Sequence, residues 1–120
     1  MGLPISTDAA IDEGAALFDD ERFFEAHERF ELVWKARDIA ETDRNFWKGV
    51  TQVAVGCCHV QRGNARGAIA LLRRATRYLE PRTVSRVDGA ALIRLALELA
   101  AHVERGGTAA VRPFPRFPPR

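Results

Sequence analysis

The stretch FWKGVTQVAVGCCHV, residues 46–60, constrains the fold more than any other part of the chain. Wound into a helix at about 100° per residue, it points apolar side chains in nearly every direction. Those side chains are Phe46, Trp47, Val50, Val53, Ala54, Val55, Cys57, Cys58 and Val60. A helix that is oily all round holds its shape in water only when other elements surround it, so this one predicts the central helix of a bundle. A bilayer span is excluded. Lys48, Thr51, Gln52 and His59 interrupt the stretch, and crossing a membrane takes about 20 apolar residues.

Helical periodicity continues on both sides, and no segment alternates like a strand. The first helix is expected from about Asp8 to Phe18, capped by Ser6, Thr7 or Asp8. The second runs from Glu21 to Arg37, and the third, containing the central stretch, from Asn45 to Arg62. Gly63-Asn64 breaks it. The fourth runs from Ala65 to Leu79, ahead of Pro81, and buries Ala68, Leu71, Leu72, Ala75 and Leu79. Asp88 caps a fifth whose Leu92, Leu95, Leu99 and Val103 form one stripe, and Gly106-Gly107 closes it. The expected architecture is therefore all-α, a compact bundle of about five helices around helix three. Residues 1–107 form one helical domain, and residues 108–120 form a tail. The tail, with four prolines in VRPFPRFPPR, favours an extended arm that docks or wanders, a disordered terminus being the simpler expectation.

The 120 residues suit a single core, and 47% hydrophobic with 28% charged residues is ordinary for a globular chain. The first residues lack the basic start and apolar run of a secretory signal, so Cys57 and Cys58 read as reduced thiols of a cytoplasmic protein. The net charge of +2 hides an imbalance: residues 1–44 hold 12 acids and 5 bases, residues 45–120 hold 4 acids and 13 bases. Such a chain pairs its own halves, self-associates, or offers a basic face to an anion or a protein partner.

The second helix carries FFEAHERFELVWK, residues 23–35. With His27 at the centre of a helical wheel, Phe23, Phe24, Phe30, Glu31 and Trp34 all fall within about 60° of it. Glu28 lies at the flank. A buried carboxylate without a partner costs several kcal/mol, so Glu31 calls for a proton or a partner. Helix three offers Gln52 and His59 on a stripe shared with Gly49 and Gly56, whose missing side chains suggest the close approach of a helix or a ligand. If helices two and three pack along these stripes, His27, Glu28, Glu31, Trp34, Gln52 and His59 meet in one polar pocket for a small ligand or metal. A polar network that merely fixes helix register is the plain alternative.

As a metal set, His27, Glu31 and His59 suit a divalent ion such as Zn, Mn or Fe. The spacing does not match a known pattern. HERFE has Glu31 where the zincin motif needs a second His, and no Glu-x-x-His pair marks a di-iron bundle. Adjacent cysteines next to His59 do not face one another on a helix, so no nucleophile is assembled there. QRGNARG lacks the strand and the Lys-Ser/Thr of a phosphate loop. Whether the chain is an enzyme stays open.

FFEAHERFELVWK, followed by FWKGVTQVAVGCCHVQRGNARGAIALLRRATRYL, resembles the bacterial and archaeal domain-of-unknown-function 309 family across residues 13–100. The likeness rests on Glu25, Ala26, His27, Glu28, Glu31, Trp34, Gln52, Gly63, Asn64, Gly67 and Ala68. It implies a compact helical bundle from a prokaryotic family and no particular activity. Helix pairs one–two and three–four also resemble tetratricopeptide hairpins. Gly14, Ala26 and Phe30 are repeated as Gly56, Ala68 and Leu72, 42 residues on, where the usual period is about 34. The competing function is therefore a helical protein-interaction module, with Phe114 and Phe117 of the tail as its adhesive arm. Arg62, Arg66, Arg73 and Arg77 line one side of helix four with no recognition motif beside them, so nucleic acid is not the expected partner.

Overall fold

The computed structural model describes residues 5–120, and residues 1–4, the start of the expected domain, lie outside them. Five α-helices follow in order: α1 (Thr7–Asp19), α2 (Phe23–Trp34), α3 (Glu41–Gln61), α4 (Ala65–Tyr78) and α5 (Gly89–Gly106). Between α4 and α5 sits an antiparallel hairpin of two-residue strands, β1 (Thr83–Val84) and β2 (Val87–Asp88), and a short 3-10 turn, Thr108–Ala110, follows α5. The all-α bundle expected from the sequence is the fold that forms.

Three helix starts are fixed by side chains that take up otherwise unpaired N–H groups. Ser6 Oγ accepts from Ala9 N–H at 3.1 Å, Asn64 Oδ1 from Gly67 N–H at 3.0 Å, and Asp88 Oδ1 from Ala91 N–H at 3.1 Å. The junction of α2 and α3 differs from expectation. Helix α2 stops at Trp34 rather than Arg37, and α3 begins at Glu41 rather than Asn45. Arg44 is the cause: its guanidinium donates to the carbonyls of Trp34, Ala36 (3.3 Å) and Ile39 (3.5 Å), capping the end of α2 from the first turn of α3. Glu41 and Asp43 in that turn favour a helix N-terminus.

Helix α3 is central, as its composition demands. It packs between α2 and α4, and every apolar residue of its encircled stretch is buried except Val55, which is half-buried. The small residues decide how closely its neighbours approach. A methyl group on Gly56 would lie 2.8 Å from Leu72, and one on Gly49 would lie 2.9 Å from Leu79 and 3.1 Å from the Ala75 carbonyl. The glycine stripe of α3 therefore faces α4, not α2, which corrects the expectation that it would bring α2 and α3 together. In α1, a methyl on Gly14 would strike the Phe30 ring. Gly14–Phe30 and Gly56–Leu72 are the same contact repeated 42 residues apart, so the two hairpins α1–α2 and α3–α4 share one packing scheme.

The proline-rich tail docks. Phe117 is 5% exposed; it stacks on Phe30 at 5.4 Å between centroids and meets Phe18 edge-on at 5.5 Å. Phe114 lies against Phe23 at 5.0 Å. The Phe117 N–H donates to Asp19 Oδ1 at 2.7 Å. Phe114 and Phe117 thus hold the segment as a strap over α1 and α2. The charge imbalance is met in part inside the chain: Arg82 pairs with Asp43 at 3.0 Å, Arg116 with Asp19 at 3.2 Å, and Arg120 with Asp12 at 3.1 Å. No helix among the described residues is long and apolar enough to cross a membrane.

Candidate functional site

The buried stripe of α2 is Phe23, Ala26, Phe30 and Val33. Its centre lies about 80° around the helix from His27. His27 and Glu31 therefore sit on the shoulder of the oily face, not in its middle; their side chains are 18% and 35% exposed. The sequence misled because Phe24, counted as part of the apolar face, is 53% exposed. Glu28 is exposed and points away. Trp34 is half-buried on the same shoulder as His27, with Lys48 of α3 5.1 Å and Lys35 5.3 Å from its ring centroid.

On α3 the residues Lys48, Gln52, Val55 and His59 are all half-buried at helical spacing. They form the side of α3 left open between its contacts with α2 and α4. Lys48 against Trp34, and the Gln61 side-chain amide donating to the Glu21 carbonyl at 2.7 Å, fix an antiparallel register between the two helices. That register sets His27 level with Val55, with Gln52 and His59 within about one turn along the axis. The helices therefore share an open, partly polar face. Glu28 lies outside this face, and His27, Glu31, Trp34, Gln52 and His59 are each half-buried.

His27 Nδ1 lies in hydrogen-bond contact with the Phe24 carbonyl. A carbonyl can only accept, so Nδ1–H is the donor of that contact. Nε2 lies 4.0 Å from Glu31 Oε1, while Lys35 Nζ holds the other carboxylate oxygen at 3.4 Å. The Glu31 carboxylate thus lies between His27 and Lys35. Gln52 Oε1 is a further acceptor, buried and without a hydrogen-bond partner. His59 is engaged elsewhere, its Nδ1 3.2 Å from the Asn64 side-chain nitrogen at the start of α4. Among the described residues no three His, Cys, Asp or Glu side chains gather as a metal cage, so His27, Glu31 and His59 do not assemble into one.

Two features escaped the sequence. Trp47 is fully buried with its indole N–H unpaired, on the side of α3 away from Gln52. A cleft of about 420 Å³ opens between α5 and the strap, where Arg94, Glu98, His102 and Arg112 edge a floor that includes Leu99 and Phe114. Nothing in the sequence pairs α5 with residues 111–115 until the tail is known to fold back. Both thiols are held toward the protonated form: burial pushes Cys57 far above the ordinary thiol range, with Cys58 beside it adding to the effect, and burial also raises Cys58 against the opposing charge of Arg62.

Fold and site together define a small all-α bundle of two related hairpins, a capping helix and a C-terminal strap. The family model described as "Domain of unknown function (DUF309)" matches residues 11–71, just over half of the chain, and the chain belongs to this family. The match runs from within α1 through the first half of α4 and includes every residue of the α2–α3 face. No curated protein matches the chain.

Proposed function

We propose that the α2–α3 face binds a small polar ligand that presents hydrogen-bond donors, with Glu31 and Gln52 receiving them and His27 and Trp34 flanking the seat. The observation that carries this is Gln52 Oε1, a buried acceptor left without a partner by the chain itself. A buried polar group without a partner costs about 1–3 kcal/mol, so its retention asks for a reason. Glu31 Oε1, 4.0 Å from His27 Nε2, is a second acceptor on the same helix face. Both thiols are buried, so neither is offered to this face as a nucleophile. His27 and Glu31 offer a metal two donors, fewer than the three or four of a lasting zinc site.

Acetamide, ethanolamine and glycerol, titrated separately and followed by the Gln52 side-chain amide and His27 imidazole resonances, test the reading. At least one is expected to shift both groups together. If all three leave both unmoved, the reading fails. A second reading, a protein-interaction module, is favoured by Phe24 and Leu32, apolar residues 53% and 45% exposed on the outer side of α2.

A further inference from the structure

The cleft between α5 and the strap is independent of the α2–α3 face. Its volume of about 420 Å³ falls within the range of about 300–1,000 Å³ typical of small-molecule sites. Its floor is apolar and buried: Leu99 from α5, Val111 and Phe114 from the strap. The rim is charged and exposed. Arg94 and His102 rise from α5 on either side of Glu98, and Arg112 stands opposite on the strap. The Arg112 guanidinium is held in place: Nη1 donates to the Val111 carbonyl at 2.7 Å, and the group lies 5.8 Å from the Phe114 ring centroid. Neither Arg94 nor Arg112 has an acidic side chain within salt-bridge distance among the described residues. This contrasts with Arg82, Arg86, Arg116 and Arg120, each of which pairs with an acid.

We infer that this cleft binds a small amphipathic carboxylate, its apolar body on the Leu99–Phe114 floor and its anionic head between Arg94 and Arg112. The chemistry follows from the lining. Desolvated apolar area favours a hydrocarbon or aromatic body. Two guanidinium groups without acidic partners favour a planar oxyanion that accepts paired N–H donors, and Glu98 at the same rim disfavours a dianion.

Octanoate, with octylamine and octanol as matched cationic and neutral probes, tests this on the full chain by amide chemical-shift titration. Octanoate is expected to saturate shifts at residues 91–102 and 111–115 and to bind at least tenfold more tightly than octylamine. Arg94→Gln and Arg112→Gln, both on the exposed rim, are each expected to weaken octanoate about tenfold, the scale of one charge-assisted hydrogen bond, while octanol is unaffected. Raising the salt from 0.05 to 0.5 M is expected to weaken octanoate only. Several results would overturn the inference: no saturable shift at the cleft, equal binding of octanoate and octylamine, or unchanged affinity in both arginine variants. Shifts confined to an added Glu- and Phe-containing peptide would do the same, marking the cleft as a protein contact.

Discussion

Phe117→Ala is the sharpest test of how this small bundle completes its core. The ring is 5% exposed, stacked on Phe30 and edge-on to Phe18. Truncating a buried phenylalanine costs about 3–5 kcal/mol, a figure that already includes the aromatic pairs. Because the strap is a terminal segment that can relax into the gap, the lower part of the range applies, about 3–4 kcal/mol. Domains of this size hold about 5–15 kcal/mol in all, so the loss is a large share of stability. In urea, with a slope of about 2 kcal/mol per molar, the midpoint should fall by about 1.5–2 M. Phe24→Ala is the matched control: its ring is 53% exposed, and the expected loss is below about 0.5 kcal/mol. Equal midpoint shifts for the two variants would refute the argument, since a strap that leaves the core in solution makes Phe117 as dispensable as a surface ring.

Other consequences follow from the same geometry. Gly56→Ala should destabilise by about 1–2 kcal/mol in thermal unfolding despite alanine's better helix propensity, because its methyl would meet Leu72 at 2.8 Å; a gain in stability would mean that α3 and α4 are further apart. Arg44→Ala should cost about 1.5–3 kcal/mol and speed amide exchange at the end of α2, having left the Trp34 and Ala36 carbonyls unpaired. Folded protein at pH 8 should resist iodoacetamide at both cysteines, whereas unfolded chain should be alkylated. The raised Cys57 also sets a pH dependence. Below about pH 8.5 the thiol is protonated in both states and adds nothing; above it only the unfolded chain loses the proton, so stability should fall by up to about 1.4 kcal/mol per pH unit.

The helices were legible because their signals are local. Ser6 and Asp88 cap as their residue types suggest, and the encircled stretch around Val50 and Val53 could only be central. The β1–β2 hairpin was not legible: Ser85 and Arg86 take φ of 47° and 67°, in a turn where Asn-Gly would have been the recognisable signal. The Arg44 cap joins residues eight to ten positions apart through a side chain, which periodicity does not detect. The strap was missed for a different reason. Its prolines report an extended backbone, but whether Phe114 and Phe117 dock depends on a gap over α1 and α2 that exists only in three dimensions. For the site, residue types were legible and direction was not: one exposed aromatic, Phe24, rotated the apparent face of α2 enough to put His27 at its centre.

Gln52→Leu tests the central claim most directly. If Oε1 is an acceptor kept for a ligand, removing it relieves a buried unpaired group, and the variant should be as stable as the parent or up to about 1 kcal/mol more stable in urea. It should also lose the ligand-induced shift at His27. A loss of 1 kcal/mol or more would show that the chain itself satisfies Gln52, and the α2–α3 face would then have no vacant acceptor to offer.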